Sequence, residues 1–370
     1  MTSNSAPILS RREIVAGGGL ALALASSRVS AASAPGLIAG TYAREGGAGV
    51  VTLMPERGGW AAGAAQAAIR NASFGVRARR GGIRYLLDEQ QSGMVGIYDH
   101  SFRRLTQAST LGADPCHAAL SPDGSMLAVA NYSSGDVALW RLDPATGLPR
   151  GDAQLTRHAG QGPDRGRQAG PHAHWVGFTA DGGILHSVDL GADAVFAHRI
   201  DARTKTVTGT TTAYRAEPGS GPRHLVRHPR LPVAYLVAEL ANTVTTLSAR
   251  ADGSFAARSV ASTLPKGFGG ASAGAHIAIN AAGTRLYVSN RGHDSIAVYT
   301  IARDGSLTLA QHAACGGHWP RFFLLVESRG EMLVANERSG NIAVLTVGRD
   351  GRLRGSDATV RMPGVVFLAT

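Results

Sequence analysis

The sequence predicts an all-β fold, a seven-bladed β-propeller of four-stranded antiparallel blades, and three observations carry that prediction. One pattern recurs seven times along the chain. The length of the recurring unit matches a blade. The composition is rich in turn formers, with 48 Gly and 16 Pro against 6% aromatic residues. Short strands joined by many tight turns produce that balance, and the 3.6-residue period of a helical solenoid is absent.

The unit consists of a tight turn, an apolar strand ending in a polar residue, a short polar turn and a second alternating strand. Two weaker copies come first, LIAGTYAREGGAGVVTLMP from Leu37 and RYLLDEQQSGMVGIYDH from Arg84. Five clear copies follow: SPDGSMLAVANYSSGDVALWRL from Ser121, TADGGILHSVDLGADAVFAHRI from Thr179, HPRLPVAYLVAELANTVTTLSA from His228, NAAGTRLYVSNRGHDSIAVYTI from Asn280 and ESRGEMLVANERSGNIAVLTVG from Glu327. Residues 35–370 number 336, which gives 48 per copy, within the roughly 40–50 residues of a four-stranded blade. A single propeller domain is expected over 35–370. A closed propeller needs no partner to satisfy its strand edges, so a monomer is expected.

Residues 1–34 read as an export signal of the twin-arginine type. Arg11-Arg12 precedes an apolar run from Ile14 to Ala25, too short to span a membrane as a mature helix. Ala32-Ser33-Ala34 then offers a small-residue cleavage site. The expected location is the periplasm, without membrane attachment once the signal is cut. The formal charge of +11 falls to +9 when the three Arg and one Glu of this segment are removed. The remaining basic residues are scattered. Nucleic-acid binding calls for a concentrated basic stripe with interleaved aromatics, so a small anionic substrate fits better. An oxidising compartment permits a bond between Cys116 and Cys315, but two positions do not fix its geometry. A disulfide and two buried thiols both remain open.

Blade topology shows where to look for chemistry. In a four-stranded antiparallel blade the innermost strand starts at the face where the second strand ends, so the residues at those two places converge on one funnel. The inner strands open with Pro115-Cys116-His117, Pro171-His172-Ala173-His174, Pro222-Arg223-His224, Ala275-His276 and Pro320-Arg321-Phe322. The second strands close with Asn131-Tyr132, Asp189-Leu190, Glu239-Leu240, Asn290-Arg291 and Asn336-Glu337. Histidine and arginine at matched repeat positions suit attack on a carbonyl in a substrate bearing negative charge. A neutral imidazole activates water near pH 7, and guanidinium groups hold an anion or a developing oxyanion. Glu239 would orient one of these groups or shuttle a proton.

Other readings stand beside that one. His172 and His174, with His224 or His117, have the residue types of a metal site, but no carboxylate ligand cluster accompanies them. No metal and no cofactor is therefore expected. Arg223 and Arg291 would serve equally as staples between blades. Asn131 and Asp189 read as turn formers.

The motifs PHAH at 171–174, DLGAD at 189–193, GPRHL at 221–225, AEL at 238–240, YVSNRGHDSI at 287–296 and GHWPRF at 317–322 resemble the propeller lactonase family. That family includes bacterial 6-phosphogluconolactonase and fungal carboxy-cis,cis-muconate cyclase. The resemblance covers about residues 37–367. It implies a metal-independent site made of His172 or His174, Arg223, Glu239 and Arg291. His224, His276, Asn290 and Arg321, on the same rim, are expected as substrate contacts. It implies a small lactone as substrate, anionic or polyhydroxylated. Lactone formation from a muconate and a non-catalytic binding propeller are the alternatives. Two departures stand out: Ala275-His276 occupies a place where similar sequences often carry an acidic residue, and the insertion GQGPDRGRQAG at 160–170 precedes PHAH. An export signal also conflicts with 6-phosphogluconolactone as substrate, because that compound is made in the cytoplasm.

Overall fold

The computed structural model describes residues 36–78 and 81–370, so the expected export segment lies outside the described residues. Among those residues the strands form seven four-stranded sheets, as the repeat predicts. Blades 3 to 7 each run outward from an inner strand: Pro115–Leu120, Ala173–Phe178, Pro222–Arg227, Ala273–Ile279 and Pro320–Val326. Blade 2 begins with the three-residue strand Gly75–Arg77. Blade 1 is closed differently. Its strands Leu37–Thr41, Val50–Glu56 and Gly59–Gln66 receive the last strand of the chain, Val365–Ala369, in the innermost place. The copy beginning at Leu37 therefore has no inner strand of its own before it.

The middle strands are apolar on both faces because each face meets a different blade. In the second strand of blade 3, Met126–Asn131, all six residues are buried. Leu127 and Val129 pack with Leu87 and Val95 of blade 2, whereas Met126, Ala128 and Ala130 pack with Val176 and Leu185 of blade 4. The two-residue side-chain period of a strand produces this division. A polar staple repeats beside it. The hydroxyls of Tyr85, Tyr235 and Tyr287 donate to the carbonyls of Gly147, Gly305 and Gly351 in the next blade at 2.6, 2.7 and 2.9 Å. Gly305 has φ +85°, and a Cβ there would lie 2.9 Å from Val233, so this turn requires glycine.

One irregularity positions the site. At the start of the inner strand in six blades the register against the second strand slips by one residue. Such a bulge re-aims a side chain, and bulges favour barrel rims and active sites. The residues it displaces are Val366, Cys116, His174, Arg223, Ala275 and Arg321. Each is followed by an aromatic or imidazole ring.

Candidate active site

Three tiers of side chains line the funnel. The upper tier sits where the second strands end: Tyr42, Glu89, Tyr132, Leu190, Glu239, Arg291 and Glu337. The middle tier is the bulged set. Ser73, Cys116, His174, Arg223, Arg321 and Val366 surround a crevice together with Glu89. The lower tier is a plug of rings. Phe74 meets His117 at 4.0 Å between centroids, His117 meets His224 at 5.3 Å, and His224 meets His276 at 5.5 Å. His276 stacks on Phe322 at 4.0 Å, and Phe322 and Phe367 close the ring back to Phe74. The crevice above the plug has a volume of about 10 Å³, room for one water. Larger depressions, such as one of about 230 Å³ lined by Arg285, Glu327 and Asp350, lie at the turns of the opposite face, away from this cluster.

Glu239 is the electrostatic centre. Its Oε2 accepts from Arg223 Nε at 3.0 Å and lies 2.7 Å from Arg291 Nη2, while its Oε1 lies 2.6 Å from Arg167 Nη2. Arg223, Arg291 and Glu239 are all at least nine-tenths buried. Burial by itself would raise the carboxyl, but Arg291, Arg223, His174 and Arg167 hold it well below the usual carboxylate range. Glu239 is thus a fixed anion and a poor proton carrier. Burial and the neighbouring Arg291 lower Arg223 to about 9, which leaves it cationic at neutral pH. One carboxylate faces three guanidiniums, and that positive excess in a place of low dielectric suits an incoming anion or a developing oxyanion.

The histidines divide between tiers. His174 lines the crevice, and burial together with Arg223 holds its pKa well below the ordinary imidazole value, so the ring is neutral. His172 lies further out. Its ring stacks on Tyr132 at 4.5 Å and Nδ1–H donates to the Tyr132 carbonyl at 3.0 Å, which leaves the lone pair on Nε2. His224 and His276 belong to the plug. Arg223 Nη1 donates to His224 Nε2 at 3.1 Å, so His224 carries its proton on Nδ1 and gives it to His276 Nδ1 at 3.3 Å. Burial lowers His276 to about 3. Asn290 is fully buried, and its amide donates to the Thr263 carbonyl and Ser295 Oγ. The structure therefore puts His174, Arg223 and Arg321 on the crevice wall, with Glu239 paired to Arg223 and Arg291 paired to Glu239. It places His224 and His276 beneath them and Asn290 behind Arg291.

Two functional candidates are absent from the sequence-derived set. Glu89 shares the crevice with His174 and Arg321. It accepts from Tyr42 Oη at 2.8 Å, and Arg321 Nη2 donates to the same hydroxyl at 3.0 Å. Burial raises its carboxyl, against the pull of Arg321. It occupies the same repeat position as Glu239, and aligning RYLLDEQ with YLVAEL would have found it. Arg167 comes from the insertion at 160–170, where repeat alignment has nothing to say. Cys116 and Cys315 are free buried thiols. Among the described residues no group of three His, Cys, Asp or Glu side chains is arranged to hold a metal ion.

Seven blades around a cationic, imidazole-bearing crevice define the class of protein, a β-propeller with a charged central funnel, and the comparisons with known proteins narrow it. Residues 36–370 match the family described as lactonase, 7-bladed β-propeller. The chain belongs to that family and is a lactone-hydrolysing enzyme. It is similar to the 6-phosphogluconolactonase of Bacillus subtilis, with 31% identity across 77% of this chain and 79% of the relative. Among solved structures it resembles a periplasmic gluconolactonase of Pseudomonas aeruginosa (TM-score 0.82, 26% identity, 90% of this chain and 98% of that one). It also resembles a putative 6-phosphogluconolactonase of Bacteroides fragilis (TM-score 0.81, 26% identity, 90% and 96%).

Proposed function

We propose that this enzyme opens a sugar lactone or related lactone outside the inner membrane, with His174, Arg223, Glu239 and Arg291 as its working set. The supporting observation is the single Glu239 carboxylate shared by three guanidiniums next to a neutral imidazole. Water attacks the ring carbonyl carbon while His174 takes its proton. The new C–O bond places negative charge on the carbonyl oxygen, which Arg223 and Arg291 stabilise. Collapse breaks the ring C–O bond, and the departing ring oxygen takes a proton from Glu89, whose raised pKa suits it to carry one. The product is the hydroxy acid, and water returns the proton from His174 to Glu89. Glu239 keeps the arginines in place, and Arg321 supplies a further cation at the crevice wall.

The export reading rests on Arg11-Arg12 and Ala32-Ser33-Ala34. It is supported by the likeness to a protein described as a periplasmic gluconolactonase. The deciding assay offers the enzyme glucono-δ-lactone, 6-phosphogluconolactone and a muconolactone. Hydrolysis of a sugar lactone is expected. A folded protein inactive on all three overturns the proposal, and turnover of the muconolactone alone points to cycloisomerase-type chemistry.

A further inference from the structure

The segment 160–170 is a built element. Gln168 is fully buried, and its side chain donates to the Leu190 carbonyl at 2.9 Å and accepts from Asp164 N at 3.3 Å. Asp164 Oδ1 in turn accepts from the amides of Gly166 and Arg167. This anchoring fixes the backbone of Arg167 above the funnel, and its side chain crosses from blade 4 to the rim of blade 5. Nη2 donates to Glu239 Oε1 at 2.6 Å and to Tyr132 Oη at 3.3 Å.

Arg167 differs from the two other arginines on Glu239 in one respect. Its side chain is 41% exposed, against 3% for Arg223 and 6% for Arg291. Among the described residues Nε and Nη1 of Arg167 have no protein acceptor, although the other end of the guanidinium is held in place. Glu239 is already matched by the two buried arginines, so it does not need Arg167 for its charge to be balanced. Arg165 is exposed on the same segment. An oriented guanidinium with open donors at the rim, above a crevice that works on a carbonyl, has the makings of an anion subsite.

We infer that Arg167 is a specificity-determining residue that receives a second anionic group of the substrate, a carboxylate or a phosphate carried away from the lactone carbonyl. This rests on the hydrolase reading above and adds the class of lactone. The ring carbonyl lies against Arg223 and Arg291, while the remote anion reaches up to Nε and Nη1 of Arg167.

Calorimetry tests it on three hydroxy acids that share the carbon chain. Gluconate has a neutral C6, glucarate a C6 carboxylate and 6-phosphogluconate a C6 phosphate. The wild-type protein is expected to bind at least one charged acid about tenfold or more tighter than gluconate, as a charge-assisted bidentate contact allows. Arg167→Gln should erase that preference, read as the ratio of charged-acid to gluconate affinity, and Arg167→Lys should keep part of it. Whichever charged acid shows the preference identifies the anion. An equal loss for all three acids in Arg167→Gln would show that the arginine only holds Glu239, and no preference in the wild type would equally overturn the subsite. Kinetics separate this from the parent reading. With the corresponding lactones, Arg167→Gln should lower kcat/KM for the charged substrate about tenfold more than for glucono-δ-lactone, whatever it does to the common kcat. Charged-acid preference without any lactone turnover would sink the hydrolase and leave the subsite standing.

Discussion

Two clusters of acids and bases lie about one blade apart, and they look alike on paper. Where blade 3 runs into blade 4, His158 Nδ1–H donates to Asp189 Oδ2 at 2.7 Å and His158 Nε2 lies 2.9 Å from Ser187 Oγ. The order Asp, His, Ser is that of a nucleophilic triad. Yet Ser187 and Asp189 are fully buried, and Ser187 is also bonded to His198 Nε2 at 2.8 Å, in a chain that ends on Thr210. No substrate reaches that hydroxyl. At the funnel no such triad exists, but one carboxylate faces three guanidiniums beside a crevice. Access and charge balance separate a site from a staple; side-chain order does not. The buried network still serves the site. Asp189 Oδ1 accepts from the amides of His172 and Ala192 at 2.8 Å each, which pins the segment that carries His174.

The contrast is broken most directly at the funnel. Arg223→Gln and Arg291→Gln should each lower kcat by about 10²–10³-fold, the loss expected for one oxyanion-stabilising group. Each variant leaves Glu239 with two arginines, so folding should persist, as a thermal melt checks. Activity near wild type in both would move the chemistry elsewhere.

Glu89→Gln comes next. Losing a proton carrier should lower kcat by about 10²-fold. The alkaline limb of the kcat–pH profile should vanish with it, because Glu89 must be protonated to donate and its carboxyl titrates above the ordinary range. A purely structural Glu89 would leave the profile's shape intact.

Ser187→Ala probes the other side of the comparison. Turnover should stay within about twofold, whereas stability should fall by about 1–3 kcal/mol for the buried partners left unpaired. Denaturant melts and initial rates on one preparation check both. Loss of activity with unchanged stability would make the interior cluster the catalytic one.

The sequence showed the propeller because an apolar second strand ending in a polar residue, followed by a short polar turn, recurs in every blade. It showed less of blades 1 and 2, where one inner strand has three residues and the other comes from the far end of the chain. The rim positions were legible too, since Arg223, Glu239 and Arg291 follow from strand direction. What stayed hidden was the choice between neighbours. Arg223 and His224, or Asn290 and Arg291, are adjacent, and in a strand adjacent side chains take opposite faces. At the first pair a one-residue bulge decides which side chain faces the funnel, and no composition signal marks it. The insertion holding Arg167 has no counterpart in the repeat, so its reach to Glu239 depended on tertiary structure.

The smallest effect tests that choice at a single ring. Stacked on Phe322, the His276 ring belongs to the plug, where burial and Arg223 lower its pKa to about 3. An unfolded histidine titrates near 6.5, so between about pH 3 and 6.5 the unfolded chain binds the extra proton. The stabilising contribution is complete above pH 6.5 and is lost as the pH falls through that window. His117, His174 and His224 are lowered in the same direction by burial, and together they should make the melting temperature fall steeply from pH 6.5 to 5. His276→Phe keeps a ring in the stack and removes one proton from that uptake. Its melting temperature should depend less on pH, and its turnover should stay within about threefold of wild type. If turnover instead collapses while the melt holds, His276 touches substrate, and the funnel is one tier deeper than its rings suggest.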